Sequence, residues 1–161
     1  MTNMAFQRDV GSLLVAKSAL NPVTVTAATT ADGQEINGTH IDRQAFTHDM
    51  PLSCKVIAEH YGSLAAAKTA TLAFNLQHAD STTGAWTDYN DRDGTTVATV
   101  TQAATTASQT FNNVTVADYS LGAAKRWIRV QVTPTLSATA TDTLDYGGVV
   151  VFGGYNVDPA A

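Results

Sequence analysis

Thr69–His78 reads TATLAFNLQH and sets the fold class of the chain. Its large apolar side chains, Leu72, Phe74 and Leu76, alternate with smaller or polar residues. Successive side chains of an extended strand point to opposite sides, so these three share one face. An amphipathic helix would instead repeat its apolar positions every three or four residues. The stretch therefore predicts a β-strand with one buried face.

Further strand patterns lie on both sides of this stretch. Ser53–Tyr61 and Lys125–Thr133 alternate in the same way, and Thr95–Thr101 and Phe111–Tyr119 are rich in valine and threonine. β-Branched residues of this kind favour pleated surfaces. Val149–Phe152 is apolar without alternation and is flanked by glycine pairs. That pattern predicts a strand covered on both faces.

Turn-forming residues separate these strands, and helical patterns are scarce. The only modest helix candidates are Arg8–Ala19 and Ser63–Ala67, and the second is more easily a loop between two strands. Short strands separated by glycine, asparagine and aspartate are typical of antiparallel sandwiches. Strands do not alternate with long helices, which argues against a doubly wound α/β fold. We therefore predict an all-β chain that folds as an antiparallel, jelly-roll-like β-sandwich.

The beginning of the chain differs from the remainder. After Pro22 the residues are small and polar, and only Val23 and Val25 are sizeable apolar groups up to Ala31. Such a segment buries too little surface to fold alone. We predict that residues 1–30 form an extended N-terminal arm or edge segment that reaches a neighbouring subunit or another partner, and that residues 31–161 form a single β-sandwich domain. The alternative is that the arm is the first strand of the chain's own sandwich.

Composition narrows the classes of partner. The 161 residues include nine basic and fourteen acidic ones, and charged residues make up 14% of the chain, against roughly 25% in typical soluble domains. Alanine and threonine together make up about a third, which gives a neutral, hydroxyl-rich surface suited to packing against copies or partners. We expect no nucleic acid partner, because phosphate binding needs clustered lysine and arginine.

Targeting signals and cysteine usage point to a product of a reducing cytoplasm. The apolar run Leu13–Ala16 is interrupted by Lys17, too early for a secretory signal. No stretch approaches the roughly 20 apolar residues that span a bilayer, so we expect no membrane partner. Cys54 is the single cysteine. It is interpreted as a small buried hydrophobe, since cysteine is among the most buried residue types.

No motif predicts catalysis, a metal site or a cofactor. The four histidines, His40, His48, His60 and His78, form no recognised metal-binding or catalytic spacing. Asp88–Asp93 is the densest group of oxygen ligands, but Arg92 stands where a calcium loop needs a ligand. A solvated turn is the preferred interpretation of this loop, and a divalent-cation site is the alternative. We therefore predict that the protein is not an enzyme.

The tryptophans indicate a binding surface. Trp127 lies opposite the face that Ile128 and Val130 define, so it is expected to point outward. Tryptophan, tyrosine and arginine are enriched at interface hot spots. The alternative is a platform for sugar rings. We predict an interface with a second copy or another protein, formed by Trp127, Arg126, Arg129, Trp86, Val23 and Val25.

Part of the chain resembles phage virion proteins. Thr71–Asp80 followed by Gly84–Asp88 is similar to a recurring pattern in which a strand ends in a Gln-x-Ser/Ala-Asp turn and a tryptophan-containing segment follows. Lys125–Val130 and Val149–Phe152 are similar to the closing half of those proteins. The resemblance spans roughly residues 50–154. It implies a head-decoration (capsid cement) or minor capsid protein, a β-sandwich or jelly roll often clustered as trimers on the shell.

Residues and resemblance together give one leading expectation. We expect a structural virion protein, made in the host cytoplasm, that forms a homo-oligomer and decorates or stabilises a phage capsid. A trimer bound to the major capsid protein is the expected assembly, and the N-terminal arm is expected to reach a neighbouring subunit or the capsid. Two alternatives stay open, namely a phage tail or baseplate component and a carbohydrate-binding β-sandwich module.

Overall fold

A computed structural model describes residues 14–46, 50–90, 97–104, 106–137 and 141–154. Within these ranges the chain is almost entirely extended, and the one helical element is a 3₁₀ turn at Arg43–Ala45. The strands are β1 (Val15–Thr26), β2 (Ile36–Asn37), β3 (Ile41–Asp42), β4 (Ser53–Leu64), β5 (Thr69–Ala79), β6 (Thr87–Asp88), β7 (Val97–Ala103), β8 (Gln109–Ser120), β9 (Trp127–Leu136) and β10 (Thr143–Gly153).

The strands form two antiparallel sheets. Sheet A has the order β1-β10-β4-β8, and sheet B has the order β2-β9-β5-β6, with β3 also on β9 and β7 also on β5. Every strand pair is antiparallel. The predicted all-β, antiparallel sandwich is confirmed.

The strand pairs are nested along the chain. β5 pairs with β6 and β7 immediately after it, β4 pairs with β8, β2 and β3 pair with β9, and β1 pairs with β10. The chain therefore pairs like one long hairpin, and its strands are then distributed over the two sheets. The first and the last described strands lie side by side in sheet A as a result.

The inner faces of the two sheets share one apolar core. Leu72, Phe74 and Leu76 of β5 are buried, as are Val56 of β4 and Val130 of β9. Each fully buried side chain of this size contributes about 1.5–3 kcal/mol of transfer free energy. The three buried residues of β5 are those that the period-two pattern of Thr69–His78 assigns to one face. The strand alternation of the sequence therefore builds the core.

The strand at the end of the chain differs from the prediction. Val150 and Phe152 are fully buried, whereas Val149 is 40% exposed and Val151 is half-buried. The prediction that Val149–Phe152 is covered on both faces is therefore wrong for this chain by itself. The physical reason is that sheet B covers only the inner face of sheet A, and nothing in the described residues covers the outer one.

The N-terminal segment belongs to the chain's own sheet. β1 pairs with β10 from Val15, opposite Phe152, to Thr26, opposite Thr143. In the described part of residues 1–30 the structure therefore has an edge strand, the alternative to an arm that reaches a neighbour. The physical reason is that β10 offers an open edge to which β1 adds main-chain hydrogen bonds. Residues 1–13, with the first half of the helix candidate Arg8–Ala19, lie outside the described residues, and the second half of that candidate leads into β1 rather than forming a helix.

A buried arginine joins the ends of the two sheets. Arg43, just after β3, is 2% exposed. Its guanidinium donates to the carbonyls of Pro51 and Leu121 at 2.9 and 2.8 Å, and also to those of Ala124 and Lys125. Pro51 precedes β4 and Leu121 follows β8, so this side chain ties sheet B to two segments that continue into sheet A.

Candidate functional site: the two outer faces

Two of the predicted interface residues meet on the outer face of sheet B. The guanidinium of Arg129 lies over the indole of Trp86, 4.4 Å from the ring centroid. The ring of His40 stacks on the same indole at 4.8 Å with an interplanar angle of 27°. A cation over an aromatic face is attracted by the ring quadrupole. Trp86, just before β6, is thus held between Arg129 of β9 and His40, which precedes β3.

Two more of the predicted interface residues, Arg126 and Trp127, form a second pair at the start of β9. The guanidinium of Arg126 lies 5.4 Å from the ring centroid of Trp127. It also donates two hydrogen bonds, of 2.9 and 2.6 Å, to the carboxylate of Asp42. This guanidinium lowers the pKa of Asp42. Arg126 is therefore oriented by a partner within the chain, and Trp127 is half-buried rather than fully outward.

A row of hydrogen-bonded polar side chains lies between these pairs. Gln77 donates to Asp88 at 2.9 Å and accepts from the Nε of Arg129 at 2.9 Å. Gln131 accepts from Gln77 at 3.3 Å and donates to Asn37 at 3.0 Å. Gln77 and Gln131 are buried although they point away from the core. The outer face of sheet B is therefore a polar surface on which these side chains bond to one another, although the Oδ1 of the buried Asn75, opposite Gln131, has no hydrogen-bond partner among the described residues.

The two predicted valines do not point outward. Val25 is fully buried in the core, and Val23 is half-buried against it. A partner cannot contact the side chain of Val25 while β1 stays in sheet A. The structure thus brings Trp86 and Arg129 together, and Arg126 and Trp127 together, and it separates Val25 from any outer surface.

Sequence reasoning missed the outer face of sheet A. In the register of the sheet Ile57 stands between Val149 of β10 and Val116 of β8, and Val116 is 46% exposed. Val114 is two residues from Val116 on β8, Tyr61 is four residues from Ile57 on β4, and both are more exposed still. We call these five residues the outer patch. The signal in the sequence was Ile57 itself, a large apolar residue at a polar position of the Ser53–Tyr61 alternation.

An open groove lies at one end of the outer patch. Its volume is about 600 Å³, and Leu14, Ile57, Tyr119 and Val151 are among the residues that line it. Cys54 also lines it but is itself buried, and burial raises the pKa of its thiol to about 12. The interpretation of Cys54 as a buried hydrophobe is confirmed, because a thiol with that pKa stays protonated at neutral pH.

The remaining candidates for chemistry are dispersed. His60 is fully buried in the core, and His78 accepts a hydrogen bond from the backbone of Lys125 at 3.3 Å. No three metal-ligating side chains gather anywhere in the part of the chain that the structure describes. Nor does a helix there have the length and apolar character to cross a membrane. His48 and the second half of the loop Asp88–Asp93 lie outside the described residues.

Comparison with known proteins adds no relative. No protein family matches the chain, and no curated protein is significantly similar to it. The two outer faces are therefore the features of the molecule that bear on its function.

Proposed function

We propose that this chain is a structural virion protein that forms a homo-oligomer and decorates or stabilises a phage capsid. The observation that carries the proposal is the outer patch on sheet A. Solvent-exposed apolar surface that runs across several strands typically marks an interaction site. The apolar residues of this face are accompanied by Glu59 and by the ion pair of Lys55 with Asp118. An apolar centre beside a few charges of both signs fits the surface of another protein better than nucleic acid or a small charged substrate. The major capsid protein is the partner that the sequence resemblance implies.

The strand order supports the same proposal. The nested pairing distributes the strands so that each sheet holds members of the first and second halves of the chain. Eight-stranded double sheets built from Greek keys are jelly rolls, which occur in viral capsid proteins and also in lectins and cupins. We therefore propose that the sandwich is a jelly roll. Fold alone does not assign function, so the outer patch remains the main support.

Binding to purified heads tests the proposal. The protein is mixed with heads of the phage that encodes it, prepared without the protein, and sedimented. We expect wild-type protein to pellet with heads and Val149→Lys to bind about tenfold more weakly or worse, since a charge at the centre of an interface is unfavourable. Thr135→Lys, an exposed position on the outer face of sheet B, is the matched control and keeps its binding.

Each other result has a definite meaning. Wild-type protein that stays in the supernatant contradicts capsid decoration. Binding that is lost with Trp127→Ala but not with Val149→Lys moves the interface to the outer face of sheet B. Mass spectrometry of separated tails tests the tail or baseplate alternative, and glycan binding tests the carbohydrate alternative. Arg129 and His40 already occupy faces of Trp86 that a sugar ring would need.

A further inference from the structure

β8 is the least protected edge of the sandwich. It is the last strand of sheet A, and its described pairing is with β4 alone. It spans twelve residues, all in unbroken register with β4 from Gln109 to Ser120. The strand contains no proline, glycine or lysine. A long, regular edge with exposed apolar side chains is a template for pairing with another chain.

The opposite edge of the same sheet has the protection that β8 lacks. β1 carries Pro22, which cannot donate a backbone hydrogen bond, and Lys17. Its register with β10 shifts twice, between Ser18 and Val23. The backbone N–H of Thr39 also donates to the carbonyl of Ala19 at 2.9 Å. Natural proteins use such devices to prevent edge-to-edge pairing, and in sheet A they are confined to β1.

We propose that two copies of this chain pair through β8, edge to edge and antiparallel, about a two-fold axis at Thr115. The pairing would join the two A sheets into one eight-stranded sheet. It is an isologous contact, in which the same surface serves both copies. The inference rests on the proposed function only in taking the chain to be a homo-oligomer, and it names the surface that makes one of the subunit contacts.

The side chains of β8 select this register. With Thr115 on the axis, Val114 of one copy stands opposite Val116 of the other, on the outer face of the joined sheet. These are two of the most exposed apolar residues that the structure describes, at 59% and 46%. Apolar pairs directly opposite each other stabilise neighbouring strands. The outer patches of the two copies then become continuous.

Charge agrees with the same register. The single ionisable acidic or basic residue of β8 is Asp118. In this pairing it faces Asn112 of the second copy, whose amide can donate to a carboxylate. A shift of the axis to Val116 would instead place Asp118 opposite Val114. Antiparallel pairing about Thr115 therefore brings no like charges together and leaves no valine facing a charge.

A two-fold contact has a consequence for the number of subunits. Alone it gives a dimer. Combined with the three-fold contact of the expected trimer, it joins trimers in pairs, and a hexamer is the smallest closed assembly. Both assemblies contain an even number of copies.

The molar mass of the intact protein in solution tests the pairing. We expect wild-type protein at about 100 micromolar to have an even subunit number by light scattering or sedimentation equilibrium. The double variant V114K/V116K places lysines opposite lysines across the axis, so this contact should weaken about 100-fold or more. Val149→Lys is the matched control, because it lies on the same outer face but on β10, and it keeps the contact. Circular dichroism and thermal melting confirm that each variant is folded.

Cross-linking tests the register and decides the question if the lysine variant fails to fold. V114C and V116C are prepared separately and then mixed under mild oxidation. The mixture should form disulfide-linked dimers faster than either variant alone, because position 114 faces position 116. A wild-type monomer at the stated concentration overturns the proposal, and so does an assembly that survives V114K/V116K in folded form. Val149→Lys protein that pairs but no longer binds heads separates this contact from capsid binding.

Discussion

The outer faces of the two sheets are both formed by antiparallel strands, but sheet B presents hydrogen-bonded polar side chains and sheet A presents exposed apolar ones. On sheet B, side chains such as Gln77, Gln131 and Arg129 bond to one another and are largely shielded from solvent. On sheet A, Val116 of β8 and Val149 of β10 lie on the two strands that flank β4, and no described side chains cover them. Polar groups that bond to one another gain little from a partner, whereas an apolar face in water gains free energy when it is covered. This difference is the reason for proposing the interaction surface on sheet A.

The junction between the sheets should show the largest effect on stability. Arg43→Met removes a guanidinium that serves the carbonyls of Pro51, Leu121 and two further residues. Each buried carbonyl left without a donor costs about 1–3 kcal/mol. We expect the free energy of unfolding to fall by about 3–5 kcal/mol, measured by urea denaturation. Burial lowers the pKa of Arg43 itself, so part of the loss is regained because a buried charge is removed.

The same variant tests whether the sheets depend on each other. Loss of a single cooperative transition, with the tryptophan fluorescence of sheet B changing at a different urea concentration from far-ultraviolet ellipticity, would show that Arg43 couples them. A change below about 1 kcal/mol, which is typical of many single substitutions, would contradict the role of Arg43 as a joint. Gln44→Met, at the exposed neighbouring position, is the control and should have little effect.

The polar row of sheet B should be the next most sensitive feature. Gln77→Leu removes the acceptor of Arg129 and the donor to Asp88 and Gln131. Because the side chain is buried, we expect a loss of about 1–3 kcal/mol in the free energy of unfolding.

The matched change on sheet A is Val116→Thr. It replaces an exposed valine by a residue of similar shape, and we expect a change within about 0.5 kcal/mol. Both values come from urea denaturation at a concentration where the protein is dissociated. Equal losses for the two variants would show that the two outer faces do not differ in the way proposed.

Local sequence patterns predict the strands, but they do not predict which outward side chains are covered. The alternation in Thr69–His78 predicts both the buried face of β5 and the outward position of Gln77, because side-chain direction depends only on the local backbone. The cover of an outward residue depends on strands far away in sequence. Gln77 is shielded by Arg129, 52 residues later, whereas Val149 has no comparable neighbour. For the same reason Arg43, whose acceptors include Leu121, 78 residues away, gave no signal in the sequence.

The N-terminal segment shows the same limit of local patterns. Its low content of large apolar residues indicates that it cannot fold alone, and that inference remains valid. Composition cannot say which sheet edge it joins, and β10 of the same chain is the edge that is present. In this position Val25 is a core residue, and Val23 is half-buried against the core.

The pH dependence of the free energy of unfolding should differ between the two sheets, because each sheet contains a histidine that is at least half-buried. His60 of β4 is 1% exposed, and burial lowers its pKa, an effect that the backbone of Ala58 offsets only in part. Burial also lowers the pKa of His78 of β5, which is only half-buried, and Lys125 adds to this effect. A histidine whose pKa is lowered by folding binds protons more tightly in the unfolded chain. Stability is therefore retained above a pH of about 6.5 and lost as the pH falls below it.

The expected slope follows from one extra proton in the unfolded state. Each such histidine can remove up to about 1.4 kcal/mol per pH unit below its unfolded pKa. We expect His60→Leu to abolish more of the loss between pH 7 and pH 5 than His78→Gln does, measured by urea denaturation at each pH. A loss that persists unchanged in both variants would show that other groups carry the acid sensitivity.

The smallest difference concerns one ion pair on each face. Asp42 of sheet B accepts two hydrogen bonds from Arg126, and its side chain is only 15% exposed. Asp118 of sheet A meets Lys55 at 2.9 Å, but its side chain is 71% exposed. Solvent screens an exposed pair, so we expect Asp118→Asn to change the free energy of unfolding by less than about 0.5 kcal/mol. Asp42→Asn should cost about 1 kcal/mol, because a bidentate arginine contact is stronger and better ordered.

The dependence on pH distinguishes the two pairs further. The pKa of Asp42 is lowered chiefly by its hydrogen bonds with Arg126, so its contribution is present above the unfolded pKa of about 3.9 and disappears as the pH falls through the folded value. The difference between wild type and Asp42→Asn should therefore shrink between pH 5 and pH 3. A difference that stays constant over this range would mean that Asp42 acts through its hydrogen bond to the backbone of Gln44 and not through its charge. In that case the side-chain amides of Gln77 and Gln131, and not the ion pair of Asp42 with Arg126, would hold the outer face of sheet B together.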